Sequence, residues 1–267
     1  MITPKKITQF HQTIRDYARD NARIFPWRQT LNPYHILVSE CMLQQTQAQR
    51  VVPKYNQFLS SFSSLEALAN APLADVIAHR SGLGFNRRAI NLQRCASILV
   101  STYSSHIPND PATLITLPWL GIYSSHSIPI FAYNIDDVTI DINIKRVYIH
   151  YFELDPAIKP RELRAIARQC LPIGRSRDRH NALMDYGSSV ANAKVTGISA
   201  PKQKPFIGSK REVRGTIIKH LSKKISLTPH DVQILFPHHD CQQIIDDLIQ
   251  EWLLSMQGKF LVLGNGN

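Results

Sequence analysis

The chain has 267 residues and a formal net charge of +11, from 31 Lys and Arg against 20 Asp and Glu. A hydrophobic share of 43% with 16 prolines and 11 glycines excludes collagen, coiled coil and disorder. The apolar runs are far shorter than the roughly 20 residues of a membrane span, and residues 1–20 show no signal-peptide pattern. We therefore expect a soluble intracellular protein whose basic charge attracts polyanions, nucleic acid before anionic membrane.

Most of the chain has the apolar periodicity of helices. This spacing recurs in segments 65–79, 89–99, 144–152, 163–171 and 245–253. Pro72 divides the first of these into two short helices, and alternation typical of strands occurs only from Lys259 to Leu263. The pattern predicts an all-α protein with many short helices and a small hairpin near the end.

The segment 36–47, ILVSECMLQQTQ, carries the first candidate acid, Glu40. On a helix Glu40 shares an apolar face with Ile36, Leu37 and Leu43. Burial raises the pKa of such a carboxyl and suits it to donating a proton near neutral pH. A core glutamate satisfied by a buried partner explains the same pattern. The amides of Gln44, Gln45, Gln47 and Gln49 suit contacts with DNA bases.

A second carboxylate, Asp141, lies in the segment 138–147, VTIDINIKRV. It follows a short apolar run and directly precedes an amphipathic helix, which is the position of an N-cap. The helix dipole favours the ionised form of a carboxylate there, and a catalytic group that stabilises a cation must be ionised. Capping and catalysis are therefore compatible at Asp141.

Three other segments have weaker signals. The stretch LITLPWLGIYSSH (114–126) is a Pro/Gly hairpin between helices, which can direct backbone N–H groups at a phosphate. The stretches FPWR (25–28) and GLGFNRRAINL (82–92) combine aromatic residues with arginine, as base-stacking and phosphate-binding elements do. Taken alone, each of these two segments is better explained as a core aromatic next to surface charge.

Residues 194–224 form a basic segment with nine Lys and Arg against one acid, Glu212. The first half is rich in Pro, Gly and Ser, so the segment is either a solvated linker or a strap that contacts phosphates. Residues 211–267 then follow the order helix, helix, helix, hairpin. This order fits a small winged-helix module or a plain helical cap.

The four cysteines, Cys41, Cys95, Cys170 and Cys241, are widely separated and form no Cys-x-x-Cys pair. The spacing of the cysteines thus indicates neither a zinc ribbon nor a local iron–sulfur cluster site. Their apolar, helix-like surroundings favour buried free thiols in a reducing compartment.

Taken together, four segments resemble the helix-hairpin-helix DNA glycosylase superfamily. They are FPWR to TQ (25–47), GLGFNRRAINL, TIDINIKRV and NALMDYGSSV (181–190). The closest likeness is to the MutY adenine glycosylases, because SECMLQQTQ is specific to that branch. Order and spacing agree over roughly residues 8–192. The resemblance implies an enzyme that flips a nucleotide out of bent duplex DNA and cleaves its glycosidic bond.

The resemblance also assigns roles to residues. Glu40 becomes the acid that protonates the departing adenine, Asp141 stabilises the sugar cation, and Asn143 positions the water or the aspartate. Tyr123 stands where lyase-active relatives have a Schiff-base lysine, so a monofunctional glycosylase is expected. The adenine pocket corresponds to Arg23, Phe25, Trp27 and Arg28, and the residues that probe or wedge the duplex correspond to Gln45 and Phe85. Phosphate contacts are expected from Gly121, Arg87, Arg88, Lys202, Lys204 and Lys210.

The sequence departs from the family in five respects. The family's cluster cysteines, spaced Cys-x6-Cys-x2-Cys-x5-Cys, do not follow Val190, so we expect no iron–sulfur cluster and no other metal or cofactor. Trp119 replaces the hairpin glycine, which argues against the family's usual phosphate-binding hairpin. Ile142 replaces a small residue beside Asp141, and Pro129 is expected to interrupt the helix after the hairpin. We also expect no counterpart of the family's 8-oxoguanine-reading domain.

The expected fold is an all-α, two-lobed helix-hairpin-helix glycosylase. Its predicted parts are a six-helix lobe (28–140), a second lobe (1–27 with 141–193), a basic linker (194–210) and a C-terminal helical or winged-helix extension (211–267). The expected substrate is adenine opposite 8-oxoguanine or guanine in double-stranded DNA. Two alternatives remain, a thymine or uracil mismatch glycosylase and a non-catalytic DNA-binding homologue. A monomer is expected, cytoplasmic and nucleoid-associated if the source is prokaryotic.

Overall fold

The computed structural model describes residues 2–81, 87–199 and 205–264. These residues form mainly α-helices, as the periodicity predicts, and none of the helices among them is long and apolar enough to cross a membrane. The helices are α1 (Pro4–Asn21), α2 (Pro33–Leu43), α3 (Ala48–Ser61), α4 (Leu65–Ala69), α5 (Leu73–Arg80), α6 (Arg87–Tyr103), α7 (Pro111–Leu114), α8 (Ile122–Tyr133), α9 (Ile142–Phe152), α10 (Pro160–Gln169), α11 (Ser176–Ser189), α12 (Ala193–Thr196), α13 (Lys210–Ser222), α14 (Pro229–Leu235) and α15 (Cys241–Gln250).

The remaining regular structure is a 3-10 turn at Pro26–Arg28 and a hairpin of β1 (Leu254–Gln257) and β2 (Phe260–Leu263). The two strands pair antiparallel, with Leu254 opposite Leu263 and Gln257 opposite Phe260. Phe85, Lys202 and Lys204, for which the sequence predicts DNA contacts, lie outside the described residues.

The chain divides into two compact units. The first comprises residues 1–36, 108–116 and 120–202, and the second comprises residues 37–107, 117–119 and 203–267. These limits differ from the lobes predicted from the sequence, which placed residues 28–140 together. The division into lobes that the sequence predicts stays a prediction.

The core of the first unit is built by α1, α9, α10 and α11. Phe10 of α1 is fully buried and packs against Tyr148 and Phe152 of α9, with ring centroids 5.4 Å and 4.8 Å away. The predicted apolar face of α10 is also buried, through Leu163 and Ala167. Each large side chain buried in this way contributes roughly 1.5–3 kcal/mol.

Hydrogen bonds from neighbouring helices fix the irregular segment that leads into α9. The Thr139 N–H donates to Nε2 of His180 on α11 at 3.2 Å, and the Thr139 hydroxyl donates to the Tyr123 carbonyl on α8 at 3.2 Å. Arg164 of α10 donates to the Val138 carbonyl at 2.7 Å. Three helices thus hold the backbone within three residues of Asp141.

The expected interruption of α8 at Pro129 is wrong. The helix continues through Pro129 to Tyr133, and the residues from Ser127 to Ala132 are buried. An interior proline costs a helix about 3 kcal/mol, which burial of several apolar side chains along this turn offsets. The Pro129 carbonyl accepts a hydrogen bond from the Ile135 N–H at 3.2 Å.

The second unit contains the predicted helix pair around Pro72, now α4 and α5, together with the C-terminal extension. In that extension α13, α14, α15 and the hairpin follow in the predicted order, and α13 packs on α5 and on β2. Leu227, between α13 and α14, makes an antiparallel bridge to Leu261 of β2. A short strand at this place is typical of a winged helix, so this feature favours the winged-helix interpretation over a plain cap.

His180 makes the stability of the first unit depend on pH. The imidazole is 2% exposed, accepts from Thr139 and donates through Nδ1 to the Ser176 carbonyl, so it must be neutral. Burial lowers its pKa to about 4. Because the folded pKa lies below the unfolded value, the stabilisation is complete above pH of about 6.5 and is lost as the pH falls towards 4.

We therefore expect the free energy of unfolding to fall by about 2 kcal/mol between pH 7 and pH 5 through this residue alone. Denaturant unfolding of His180→Gln at both pH values should show a shallower pH dependence and a lower stability at pH 7. The matched control is the same substitution at an exposed histidine, His150→Gln. Equal slopes in all three proteins would contradict the assignment.

Candidate functional site

Asp141 caps the N-terminus of α9, as predicted. Its Oδ1 accepts from the Ile144 N–H at 2.7 Å, and its Oδ2 accepts from Nδ2 of Asn143 at 2.8 Å. Both carboxylate oxygens therefore have a fixed donor. The carboxylate is held in one orientation at the positive end of the helix dipole.

The pKa of Asp141 is raised above its ordinary value, chiefly because burial removes water from the carboxylate. The hydrogen bonds from Ile144 and Asn143 and the charge of Arg146 lower the pKa and offset part of this effect. The sequence predicted only the lowering by the cap. A carboxylate with little water around it interacts more strongly with a positive charge that forms nearby.

Asn143 is fixed by a residue that the sequence analysis did not single out. Nη1 of Arg146 donates to Oδ1 of Asn143 at 3.1 Å, and this bond orients the Asn143 amide with its nitrogen toward Asp141. Arg146 is 9% exposed, although it lies on a helix surface that would ordinarily leave an arginine in solvent. Its spacing of three residues from Asn143 was the available signal.

Gly187 is a second residue that the sequence analysis missed. A Cβ at this position would lie 2.3 Å from the carbonyl oxygen of Asn143, so α11 contacts the first turn of α9 through the glycine itself. The segment NALMDYGSSV was recognised as a whole, but nothing in its pattern indicated which residue approaches α9. Only glycine permits this distance between the two backbones.

The hairpin before α8 keeps a left-handed turn despite the loss of its glycine. Trp119 has φ of +66°, and Gly121 then caps α8 in extended backbone. Open space surrounds the position of a Cβ at Gly121, which leaves room for close approach of a ligand. Tyr123 lies in the first turn of α8 and is tied through its carbonyl to Thr139, two residues before Asp141.

Glu40 is buried in α2, in the second unit, as its sequence surroundings predict. Its side chain is 8% exposed, and the helix is buried on all sides from Ile36 to Met42. Two arginines cap the carbonyls that follow it. Arg80 donates to the Cys41 carbonyl at 3.2 Å, and Nη1 of Arg88 donates to the Gln44 carbonyl at 2.5 Å.

The sequence predicts that Arg88 contacts DNA phosphates. One of its guanidinium nitrogens is instead directed into the protein, where it donates to the Gln44 carbonyl. Burial lowers its pKa accordingly. Arg87, by contrast, is exposed at the start of α6. Gln45 is exposed in the turn after α2, at φ of +56°. This conformation is uncommon for a residue with a side chain.

Two of the residues predicted to form the adenine pocket, Arg23 and Arg28, bind a buried carboxylate, Asp185 of α11. Arg23 and Arg28 donate to its two oxygens at 2.6 Å and 2.8 Å, and their charges and hydrogen bonds hold its pKa below the ordinary value against burial. The Phe25 and Trp27 rings stack with centroids 5.0 Å apart. The sequence did not indicate Asp185, since a helical aspartate far along the chain gives no sign of its partners.

The residues present do not fit an iron–sulfur cluster. All four cysteines are buried in separate elements, and burial raises the pKa of the Cys95 thiol to about 12 and that of Cys170 to about 11. Thiolates, not thiols, bind iron. In the part of the chain that the structure describes, no group of three or more His, Cys, Asp or Glu is arranged for a metal ion.

The helical fold, the hairpin before α8 and the capped aspartate agree with the class of DNA enzymes that the sequence resembles. The sequence matches the HhH-GPD superfamily base excision DNA repair protein family over residues 38–172. The chain therefore belongs to this family.

Several curated relatives are adenine DNA glycosylases. The protein from Buchnera aphidicola subsp. Baizongia pistaciae is 34% identical over 68% of this chain, which spans only 52% of that relative. The protein from Mycolicibacterium smegmatis is 29% identical and covers 94% of both chains. Among solved structures, a thermostable thymine-DNA glycosylase has a TM-score of 0.65 at 27% identity, over 70% of this chain and 88% of its own. An endonuclease III–DNA complex at 16% identity, with a TM-score of 0.63 over 73% and 90%, shows the same fold.

The contact at Gly187 predicts a strong effect of a single methyl group. Gly187→Ala must push α11 away from the Asn143 carbonyl, so we expect a loss of about 2 kcal/mol or more in the free energy of unfolding. The matched control is Gly215→Ala in α13, where a Cβ would meet only Phe206 at 3.6 Å. That change should stabilise the helix by about 0.5–1 kcal/mol. Denaturant unfolding of both variants measures the difference, and similar values for the two would refute the contact.

Proposed function

We propose that this protein is a DNA glycosylase that excises adenine from mismatches with 8-oxoguanine or guanine. The observation that carries the proposal is the capped and desolvated carboxylate of Asp141. The adenine DNA glycosylase relatives support the base, in particular the one that matches along 94% of both chains. The opposite base is taken from the resemblance to MutY proteins.

In the proposed reaction the N-glycosidic bond breaks and its electron pair leaves with adenine. Glu40 donates a proton to a ring nitrogen of the base, which makes adenine a better leaving group. Asp141 stabilises the positive charge that develops on the sugar. Water, positioned by Asn143, then adds to the anomeric carbon and passes a proton to the Asp141 carboxylate.

The proposed enzyme is monofunctional. Strand cleavage by a lyase requires an amine that forms an imine with the opened sugar, and Tyr123 carries a phenol at the corresponding position. Lys145, four residues after Asp141, is the nearest amine in sequence. Its backbone N–H bonds to the Asp141 carbonyl at 2.9 Å, as in an ordinary helical turn.

DNA contacts complete the proposal. Gln45, at its exposed left-handed turn, and Phe85 would probe the duplex around the flipped base, and Phe25 and Trp27 would line the adenine pocket with Arg23 and Arg28. Gly121, Arg87 and Lys210 are exposed and would contact phosphates, with Lys202, Lys204 and the outer part of Arg88. We propose a monomer in the cytoplasm, associated with the nucleoid.

A second candidate is a thymine or uracil mismatch glycosylase. It is favoured by the thymine-DNA glycosylase structure and by a thymine/uracil-DNA glycosylase from Methanothermobacter thermautotrophicus, which is 28% identical over 70% of this chain. Glu40 favours adenine, because the departure of a purine gains from protonation of a ring nitrogen. Duplexes that carry A, T, U or hypoxanthine in mismatches distinguish the two candidates.

Single-turnover excision on this panel tests the two carboxylates. Asp141→Asn should lower adenine excision by several orders of magnitude and leave duplex affinity nearly unchanged, because the lost charge acts in the transition state. Glu40→Gln should also be inactive, with partial rescue on bases that leave more readily. Full activity of Asp141→Asn would remove Asp141 from the mechanism, and absence of rescue would make Glu40 structural.

Borohydride trapping tests the monofunctional assignment. Under conditions where adenine loss is complete, the wild-type protein should form no trapped enzyme–DNA adduct, because no lysine stands at position 123. Endonuclease III serves as the positive control. Efficient trapping would show that another amine acts as nucleophile, and Lys145→Gln would then identify it or exclude it.

A further inference from the structure

Residues 191–198, which follow α11 where the resembled family has its cluster cysteines, form a compact turn that we call the clasp. Ala191 is fully buried, and its N–H donates to the Tyr186 carbonyl at 3.1 Å. The side chain of Asn192 caps α12 by accepting from the Lys194 N–H at 2.9 Å and donates to the Ser189 carbonyl at 2.6 Å. The start of the clasp is thus fixed to the end of α11.

The end of the clasp is fixed to α9. Gly197 ends α12 in the left-handed region at φ of +69°, and the Ile198 N–H then donates to the Thr196 hydroxyl at 3.3 Å. This turn directs the Ile198 carbonyl at Arg146, whose Nε donates to it at 2.7 Å. The clasp therefore ends on the arginine that orients Asn143.

A continuous series of hydrogen bonds connects the clasp with the candidate catalytic carboxylate. Arg146 donates from Nε to Ile198 and from Nη1 to Asn143, and Asn143 donates to Asp141. The guanidinium is rigid and planar, so a carbonyl that holds one edge sets the direction of the other. Charge-assisted hydrogen bonds of a buried arginine are stronger than neutral ones, which favours one orientation of the series.

We propose that the clasp positions Asp141 through Arg146 and Asn143, with the Ile198 carbonyl as the acceptor that fixes Arg146. Arg146 is then a positioning residue and not a catalytic residue. The proposal rests on the proposed glycosylase function for its effect on rate, but its structural part concerns this chain alone.

Arginine variants test the series. Arg146→Met removes both hydrogen bonds, and we expect the single-turnover excision rate to fall on the order of 100-fold, the cost of a misplaced catalytic group. Duplex Kd should stay unchanged, and Arg146→Lys should recover part of the rate. In an Asn143→Ala background, Arg146→Met should cause no further loss, because the series is already broken.

A glycine pair tests the clasp itself. Gly197→Ala adds a methyl group with nothing within 4 Å, so its effect is strain at φ of +69°, which shifts the Ile198 carbonyl. Gly258→Ala in the β1–β2 turn is the matched control, since it also has positive φ, +59°, and open space. Gly197→Ala should lower the excision rate, whereas Gly258→Ala should leave it unchanged at a similar cost in stability.

Hydrogen exchange separates failure of this proposal from failure of the proposed function. The Ile144 amide, which caps onto Asp141, should exchange faster in Arg146→Met and Gly197→Ala than in wild type and in Gly258→Ala. If wild type excised no base, the glycosylase proposal would fail, and this exchange rate alone would decide on the clasp. Unchanged exchange in both variants, or equal rates of excision in Arg146→Met and wild type, would overturn the inference.

Discussion

The contact between Gly187 of α11 and the Asn143 carbonyl of α9 is the constraint on which the first unit depends. Because no side chain separates the two backbones, the first turn of α9 is fixed against a long buried helix. Asp141 caps that turn, so the position of its carboxylate is set by helix packing and not by a flexible loop. The catalytic role proposed for Asp141 would need support of this kind, since small displacements of a catalytic group cost large factors in rate.

Buried polar contacts hold the segments around this turn. His180 and Arg164 bind the backbone before Asp141. Arg146 binds the side chain of Asn143, two residues after Asp141. Asp185 holds the segment of Arg23 and Arg28 in the same way. Such networks stabilise a structure only when their members are satisfied, and then they specify one arrangement. The irregular segments of the first unit thus have fixed conformations without regular secondary structure.

Apolar periodicity and capping rules were sufficient to predict the helical class, the break at Pro72, the cap at Asp141 and the burial of Glu40, because these depend on residues close in sequence. Gly187, Asp185 and Arg146 were missed, because their partners are distant in sequence or their burial depends on another element. Pro129 was misjudged for the same reason. Local propensity predicted a break, but burial of the surrounding helix outweighs the cost of the proline.

Two of the departures from the family pattern, Trp119 and the missing cluster cysteines, do not favour a non-catalytic homologue. Trp119 takes the left-handed conformation that the hairpin needs, at a cost on the order of 1–2 kcal/mol that a folded domain can bear. The segment after Val190 keeps contact with α9 through a backbone carbonyl, which requires no metal ligand. A binding protein without chemistry would have no need for a desolvated carboxylate, since an exposed one at the same cap stabilises the helix equally well. The desolvation of the Asp141 carboxylate is therefore consistent with the catalytic role proposed for this residue.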